Sequence, residues 1–372
     1  MSYIDYLYAV NIEQTEINEN KGLKTNNNQT NLYDNPSVVI RHNGNMDPLK
    51  IHYNLNLVDL HCDTLLNISD NNTDIAKRNN IGHIDIPRMI GGGVDIQVFA
   101  AWVAPDYYPD RSFERTATLI KAFKGTVRST SVLEQAYNTS DLKRIKKEGK
   151  IAAILAIEAG DALEGKLENL DYFYRQGVRY ITLTWNYSNQ IADGVSKSFK
   201  GSNRSNGGLT PFGRAVIERM NQLGMLVDVS HLSEESFWDV IKASKSLVIA
   251  SHSNAWQVCN HERNLKDEQI VAIASKGGVI GVANVAPYLN DSGEATIDDI
   301  IKHINYIVDL VGINHVSIGS DFDGTDEVAK DLEDSSYFPN LTRRLIEEGY
   351  TLDDVKKIMG ENFIRVFKEV CK

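Results

Sequence analysis

Residues 151–158 read IAAILAIE, seven apolar residues closed by a carboxylate. A run with no polar face suits a strand covered on both sides, as in a parallel sheet between helices. Working outward, the same form recurs as NLVDLH (56–61) and VDIQVFAA (94–101) before it. After it come VRYITLTW (178–185), GMLVDVSH (224–231), SLVIASH (246–252), GGVIGVAN (277–284) and HVSIGSD (315–321). Between these eight runs lie segments of helical period. In TPFGRAVIERMNQLG, Thr210 stands at an N-cap position, Pro211 at the first helical position and Gly224 at the end. Thr351 with Asp354 three residues on makes a capping box. Eight β-then-α units from residue 55 to 372, with no break in composition, predict an α/β fold. The expected architecture is one closed (β/α)8 barrel of TIM type, not an open doubly wound sheet.

Residues 1–54 read differently. Asn is dense there, and turn-formers separate two strand-like pieces, SVVIRH (37–42) and LKIHYN (49–54), so this stretch is expected to be an N-terminal extension without an assigned role. The Gly91–Gly93 run precedes a strand, whereas a phosphate cradle needs a following helix, so it reads as a turn.

Composition narrows the function. Net charge is −11 and the acidic residues are spread along the chain, which argues against a nucleic-acid partner. Three cysteines, Cys62, Cys259 and Cys371, have no paired spacing, so neither a disulfide framework nor a zinc ribbon is expected and a cytoplasmic location fits. The first twenty residues lack the basic start and apolar core of a secretory signal. No segment approaches the roughly 20 apolar residues that span a bilayer, so no membrane association is expected.

In such a barrel the chemistry sits at the C-terminal ends of the strands. Here the runs end in His61 with Asp63, Glu158, His231, His252 and Asp321. His61 and Asp63, two apart, can face one side while Cys62 faces the other, a bite suited to one metal. His231 and His252 close consecutive runs and suit a second metal, with Glu158 able to bridge. Imidazole and carboxylate without thiolate favour zinc, though manganese or cobalt would also fit. One histidine at a strand end is ordinarily just hydrogen-bonded, and His42, His52, His83, His303 and His315 are read so; the grouped set is much harder to explain that way.

The segments VDLHCDT (58–64), IEAGDAL (157–163), DVSHLSEESFWDVI (228–241), SHSNAWQVCNHERNL (251–265), IGSDFDG (318–324) and GENFIRVF (360–367) resemble, in order, the membrane dipeptidase family of dizinc peptidases. The resemblance runs from about residue 57 to the C-terminus. It implies two zinc ions, one on His61, Asp63 and Glu158 and one on Glu158, His231 and His252, with a hydroxide between them. It further implies that Asp321 moves the proton from water to the leaving amine, and that Arg263 pairs with the free carboxylate of a small dipeptide. Family members tolerate a D-residue at the C-terminal position. A homodimer is compatible with this reading.

Two departures stand out. Animal members carry LTH where this chain has LTW, so Trp185 replaces a histidine that stabilises the tetrahedral intermediate, with Asn186 or Asn189 as stand-ins at the substrate. Many members read N-F-Y after the seventh strand where this chain reads ANVAP (283–287), so a substrate-lining aromatic is expected to be missing. Two other readings compete. A related barrel amidohydrolase acting on another amide would ordinarily show His-x-His on the first strand, and here it is His-x-Asp. A metal-retaining barrel without catalysis would have no need of Asp321 or Arg263.

Overall fold

The computed structural model describes residues 47–196 and 207–372. Nine strands are all paired in parallel: β1 (Leu57–Asp59), β2 (Val94–Trp102), β3 (Leu133–Gln135), β4 (Ile151–Glu158), β5 (Val178–Thr182), β6 (Leu226–Asp228), β7 (Val248–Ala250), β8 (Val279–Val282) and β9 (Val316–Ile318). Pairing of β2 with β4, from Ile96 against Ala152 to Trp102 against Glu158, closes eight of them into a ring. Helices run between the strands, giving the (β/α)8 barrel expected from the alternation of runs.

The ninth strand, β3, lies outside the ring and pairs only with Ile151–Ala153 at the start of β4, whose later residues pair with β5. Three residues, LEQ, with one of them polar and one charged, are too short and mixed to register as an apolar run.

The side-chain alternation of a strand divides β4 between two cores. Ala152, Ile154 and Ala156 face the barrel interior with Val58, Val98, Tyr180 and Ile249, whereas Ala153, Leu155 and Ile157 face the helices. Glu158 continues the inward parity, so its carboxylate is directed into the mouth. The helix Asn362–Val370 packs Phe363, Val366 and Phe367 onto the interior layer.

One expectation fails. LKIHYN is not a strand: Pro48–His52 is helical, because Asp47 caps Leu49 N at 3.1 Å and Pro48 occupies the first turn. Its buried face docks His52, whose ring bonds Thr342 Oγ1 at 2.7 Å and Gly92 O at 2.9 Å. The SVVIRH piece and His42 lie outside the described residues. Elsewhere the local signals hold. Thr210 Oγ1 accepts from Gly213 N at 2.9 Å and Gly224 ends that helix at φ +71°. Thr351 and Asp354 exchange their capping bonds. Gly93, at φ +66°, turns the chain out of helix Ile86–Gly91 into β2. The three cysteines are free and buried. Among the described residues no helix is long and apolar enough to cross a membrane.

Candidate metal centre

Six side chains converge at the C-terminal mouth. Glu158 Oε2 lies 3.2 Å from His61 Nε2, and its Oε1 lies 2.8 Å from His231 Nε2 and 3.5 Å from His252 Nε2. Asp63 Oδ2 and Asp321 Oδ1 stand 3.6 Å and 3.9 Å from His61 Nε2. Three overlapping sets, His61–Asp63–Glu158, Glu158–His231–His252 and His61–His252–Asp321, each bring their donor atoms within 4.8 Å of one another.

The outer hydrogen bonds decide how the imidazoles are protonated. Tyr180 gives its own proton to Leu60 O at 2.7 Å, so toward His61 Nδ1, 3.2 Å away, it can only accept. Ser251 likewise gives its proton to Asp228 and accepts from His252 Nδ1 at 2.7 Å. Asn186 Oδ1 accepts from His231 Nδ1 at 2.7 Å. With Nδ1 protonated on His231 and His252, their Nε2 lone pairs face one another only 2.8 Å apart, while His61, raised well above its ordinary range against its burial by Tyr180 and Glu158, carries an Nε2 proton toward Glu158 that a metal would displace. Lone pairs so placed repel unless a cation lies among them, and fixing the far nitrogen is how proteins orient metal-binding histidines. Asp63 Oδ1 is buried without a partner, a further acceptor without a donor. The residues therefore fit a metal with nitrogen and oxygen ligands.

Electrostatics agree. Burial, followed by the charge of Arg263, lowers His231 to about 3, and burial followed by His61 lowers His252 well below its ordinary range, so both rings are neutral at pH 7. Burial and the neighbouring Glu158 charge raise Asp63 to about 7; burial, with the Asp63 and Glu158 charges adding to it, raises Asp321 to about 8. Three carboxylates crowd a dry space in which His61, raised well above its ordinary range against its burial by Tyr180 and Glu158, is the compensating charge that a bound cation would replace.

The backbone is strained at the same place. Ala159, His231 and Asp321 take positive φ of +79°, +68° and +62°. Such conformations cost about 1–3 kcal/mol each and persist where the surroundings demand them. A Cβ at Gly324 would meet Asp321 Oδ1 and Asp63 Oδ2, so any larger residue there displaces both carboxylates.

Residues that the strand ends did not reveal hold these groups. Asp59 accepts from Ser320 N and Oγ, both at 2.7 Å, and from Gln97 Nε2 at 2.9 Å. Asp228 accepts from Thr182 Oγ1 at 2.6 Å and Ser251 N at 2.9 Å. Each ties a ligand-bearing strand to its neighbours. The available signal was an acidic residue interrupting an apolar run two or three positions before a histidine.

Around the mouth, Trp185 packs edge-on against Trp102 and Tyr187, at 5.2 and 5.4 Å between centroids, with His231 at 6.2 Å. Asn186, expected at the substrate, has its carbonyl taken by His231, and Asn189 is buried against Asp161 and Leu183 O. Arg263 is 4% exposed, gives Nη2 to His252 O at 3.1 Å, and stands 5.6 Å from the ring centre of Tyr288. Tyr288, in the short helix Ala286–Leu289 after β8, thus brings an aromatic ring to the region where ANVAP left one missing. It also packs on His261 at 4.5 Å. His83, His303 and His315 make ordinary hydrogen bonds to Asp323 N, to Ala255 N with Leu289 O, and to Gly278 O.

Comparison with known proteins gives the same direction. The family model for membrane dipeptidase, peptidase family M19, matches residues 48–372. An uncharacterized dipeptidase of Schizosaccharomyces pombe is 35% identical over 304 residues, covering 77% of this chain and 72% of that protein. A crystal structure of a dipeptidase of family M19 superposes with a TM-score of 0.79 at 26% identity, covering 85% of this chain and 99% of its own. A metallopeptidase of Rhodobacter sphaeroides, solved with a phosphinate mimic of the dipeptide L-Ala-D-Ala, gives 0.79 at 25% identity, covering 86% and 99%. A barrel whose mouth gathers imidazoles and carboxylates, matched over nearly its whole described length, belongs to the membrane dipeptidase family and is a metal-dependent dipeptidase hydrolase.

Proposed function

We propose that the centre holds two zinc ions and hydrolyses the peptide bond of dipeptides, including those with a C-terminal D-residue. The observation that carries the metal reading is the convergence of three imidazole Nε2 atoms around Glu158, those of His231 and His252 being left without a proton. His61, Asp63 and Glu158 would hold one ion, and Glu158, His231 and His252 the other, since the two oxygens of Glu158 lean toward opposite halves of the cluster. Imidazole nitrogens and carboxylate oxygens without a thiolate suit zinc. When bound, such ions lower the pKa of a coordinated water toward about 7 and polarise the scissile carbonyl.

The chain's own residues do the rest. Asp321, held on its strained turn at the edge of the cluster, takes the proton of the attacking water and passes it to the leaving amine. Arg263, buried and held through Nη2 by His252 O, receives the substrate's terminal carboxylate. Tolerance of a D-residue is supported by the L-Ala-D-Ala mimic bound to the Rhodobacter sphaeroides relative.

The role of Arg263 has a direct test. A dipeptide should be cleaved with kcat/KM roughly 10- to 100-fold above its C-terminal amide, because the amide leaves a buried guanidinium without its charged partner. Comparable rates on the two substrates remove Arg263 from the site.

Trp185 gives a second test. Indole donates one hydrogen bond but cannot carry the positive charge of an imidazolium. If stabilisation of the transition state is what is reduced, Trp185→His should raise kcat by a few-fold with KM little changed, the signature of an interaction made only in the transition state. A rise in KM alone instead makes the indole a packing surface for substrate.

A further inference from the structure

A groove of about 400 Å3 lies on the outer wall of the barrel, between the helices Ser112–Ser129 and Leu167–Gln176. Thr118, Lys121, Lys124 and Arg128 of the first helix and Tyr172 and Gln176 of the second line it, and among the described residues no carboxylate does. Gln176 stands just before β5 starts at Val178, so the groove reaches toward the end of the barrel opposite the metal mouth. Lys121, Lys124 and Arg128 are spaced i, i+3 and i+7, which puts all three on one helical face.

None of the three cations forms an ion pair among the described residues, although the chain carries a net charge of −11 and pairs other helical arginines repeatedly. Arg144 meets Glu134, Asp141 and Glu148, and Arg344 meets Asp298, Glu347 and Glu348. Asp171, an acid on the groove's second helix, is taken by Arg219 Nε at 2.8 Å. The Lys124 ammonium donates instead to the neutral Gln176 Oε1 at 2.5 Å, which holds it against the second helix. Burial, followed by the charge of Arg128, lowers Lys124 from the ordinary lysine value. Like charges one turn apart destabilise a helix, and an anion lying between them reverses the sign of that contribution.

We propose that the groove is a binding site for an oligophosphate, free or carried by a nucleotide, separate from the metal centre and independent of its chemistry. Lys121 and Arg128 are seven residues apart, about 10 Å along the helix axis. A chain of two or three phosphates matches that span and offers a charge to each cation, whereas a lone carboxylate offers one charge at one place. Arg128 supplies a planar fork for two phosphate oxygens, and the lysines supply point charges. Tyr172, its ring set against Phe113 and Phe173 at 5.1 and 5.4 Å between centroids, gives the groove a flat wall on which a base would stack. Because the anion joins two helices of the folded chain, its binding also stabilises the fold.

The test is equilibrium dialysis of labelled tripolyphosphate and labelled ATP against the metal-loaded wild type and the Lys124→Gln/Arg128→Gln variant. Tripolyphosphate should bind the variant at least about tenfold more weakly than wild type. Binding to wild type should weaken with added sodium chloride and raise its melting temperature, while that of the variant stays unmoved. Without phosphate compounds the two proteins should hydrolyse a dipeptide at the same rate and share one circular dichroism spectrum, which separates loss of the site from loss of the fold. Lys121→Gln, at an exposed position, should weaken binding in the same direction and serves if the double variant does not fold. ATP bound more tightly than tripolyphosphate, with the excess lost in Tyr172→Leu, assigns the site to a nucleotide; ATP bound no more tightly assigns it to the phosphate chain alone. No binding to wild type overturns the proposal, and so does equal binding to wild type and variant, which would place the anion on the metals. A polyglutamate peptide that binds where tripolyphosphate does not gives the groove to an acidic protein segment and overturns the oligophosphate reading.

Discussion

Glu158→Ala is expected to strip both metal ions from the protein and abolish measurable dipeptide hydrolysis. Its two oxygens face both halves of the cluster, one 3.2 Å from His61 and the other 2.8 Å from His231, so with two ions bound as proposed a single truncation removes a ligand from each. Metal affinity depends on a complete ligand set. His231→Ala removes a ligand from one half only, and one equivalent should remain on His61, Asp63 and Glu158. Metal analysis of the purified variants beside wild type, with far-ultraviolet circular dichroism to confirm the fold, decides the matter. Two equivalents retained by Glu158→Ala would show that the carboxylate does not bridge.

Asp321→Asn is expected to keep its metals and lose turnover by roughly 10²- to 10⁴-fold, the usual contribution of a positioned acid–base group. The amide is nearly the same size, so the strained turn at φ +62° and the close approach of Gly324 are preserved, but the amide cannot carry a proton from water to amine. The structure adds a competing role to separate. Asp321 lies 3.9 Å from His61 Nε2 and forms a donor set with His61 and His252, so it could also ligate. A variant with full metal content and depressed kcat assigns it to proton transfer. A variant that has lost an equivalent assigns it to the metal, and one within threefold of wild type moves the proton carrier elsewhere.

Much of this site was legible from spacing. A (β/α)8 barrel puts the last residue of each strand at one mouth whatever the intervening helices are, so once eight runs were recognised, His61, Asp63, Glu158, His231, His252 and Asp321 had to meet. The protonation of the rings was not legible. It depends on Tyr180, Ser251 and Asn186, which are distant in sequence from His61 or His231 or carry no signal of their own, and whose donor or acceptor role is set by what else each one bonds.

What the sequence by itself determined is therefore the barrel and the residues gathered at its mouth, because apolar periodicity, caps and strand ends are local features that the parallel closure converts into position. It could not recognise β3, whose three mixed residues pair only because the early part of β4 has a free edge. It misread residues 49–54, where Asp47, Pro48 and docking of His52 outweigh strand propensity. Only the tertiary structure decided that Tyr288 reaches the guanidinium of Arg263, and that Lys121, Lys124 and Arg128 line one groove that no carboxylate among the described residues shares. Whether a charge is paired is a property of everything packed around it, and the two walls of that groove come from helices separated in sequence by β3 and β4.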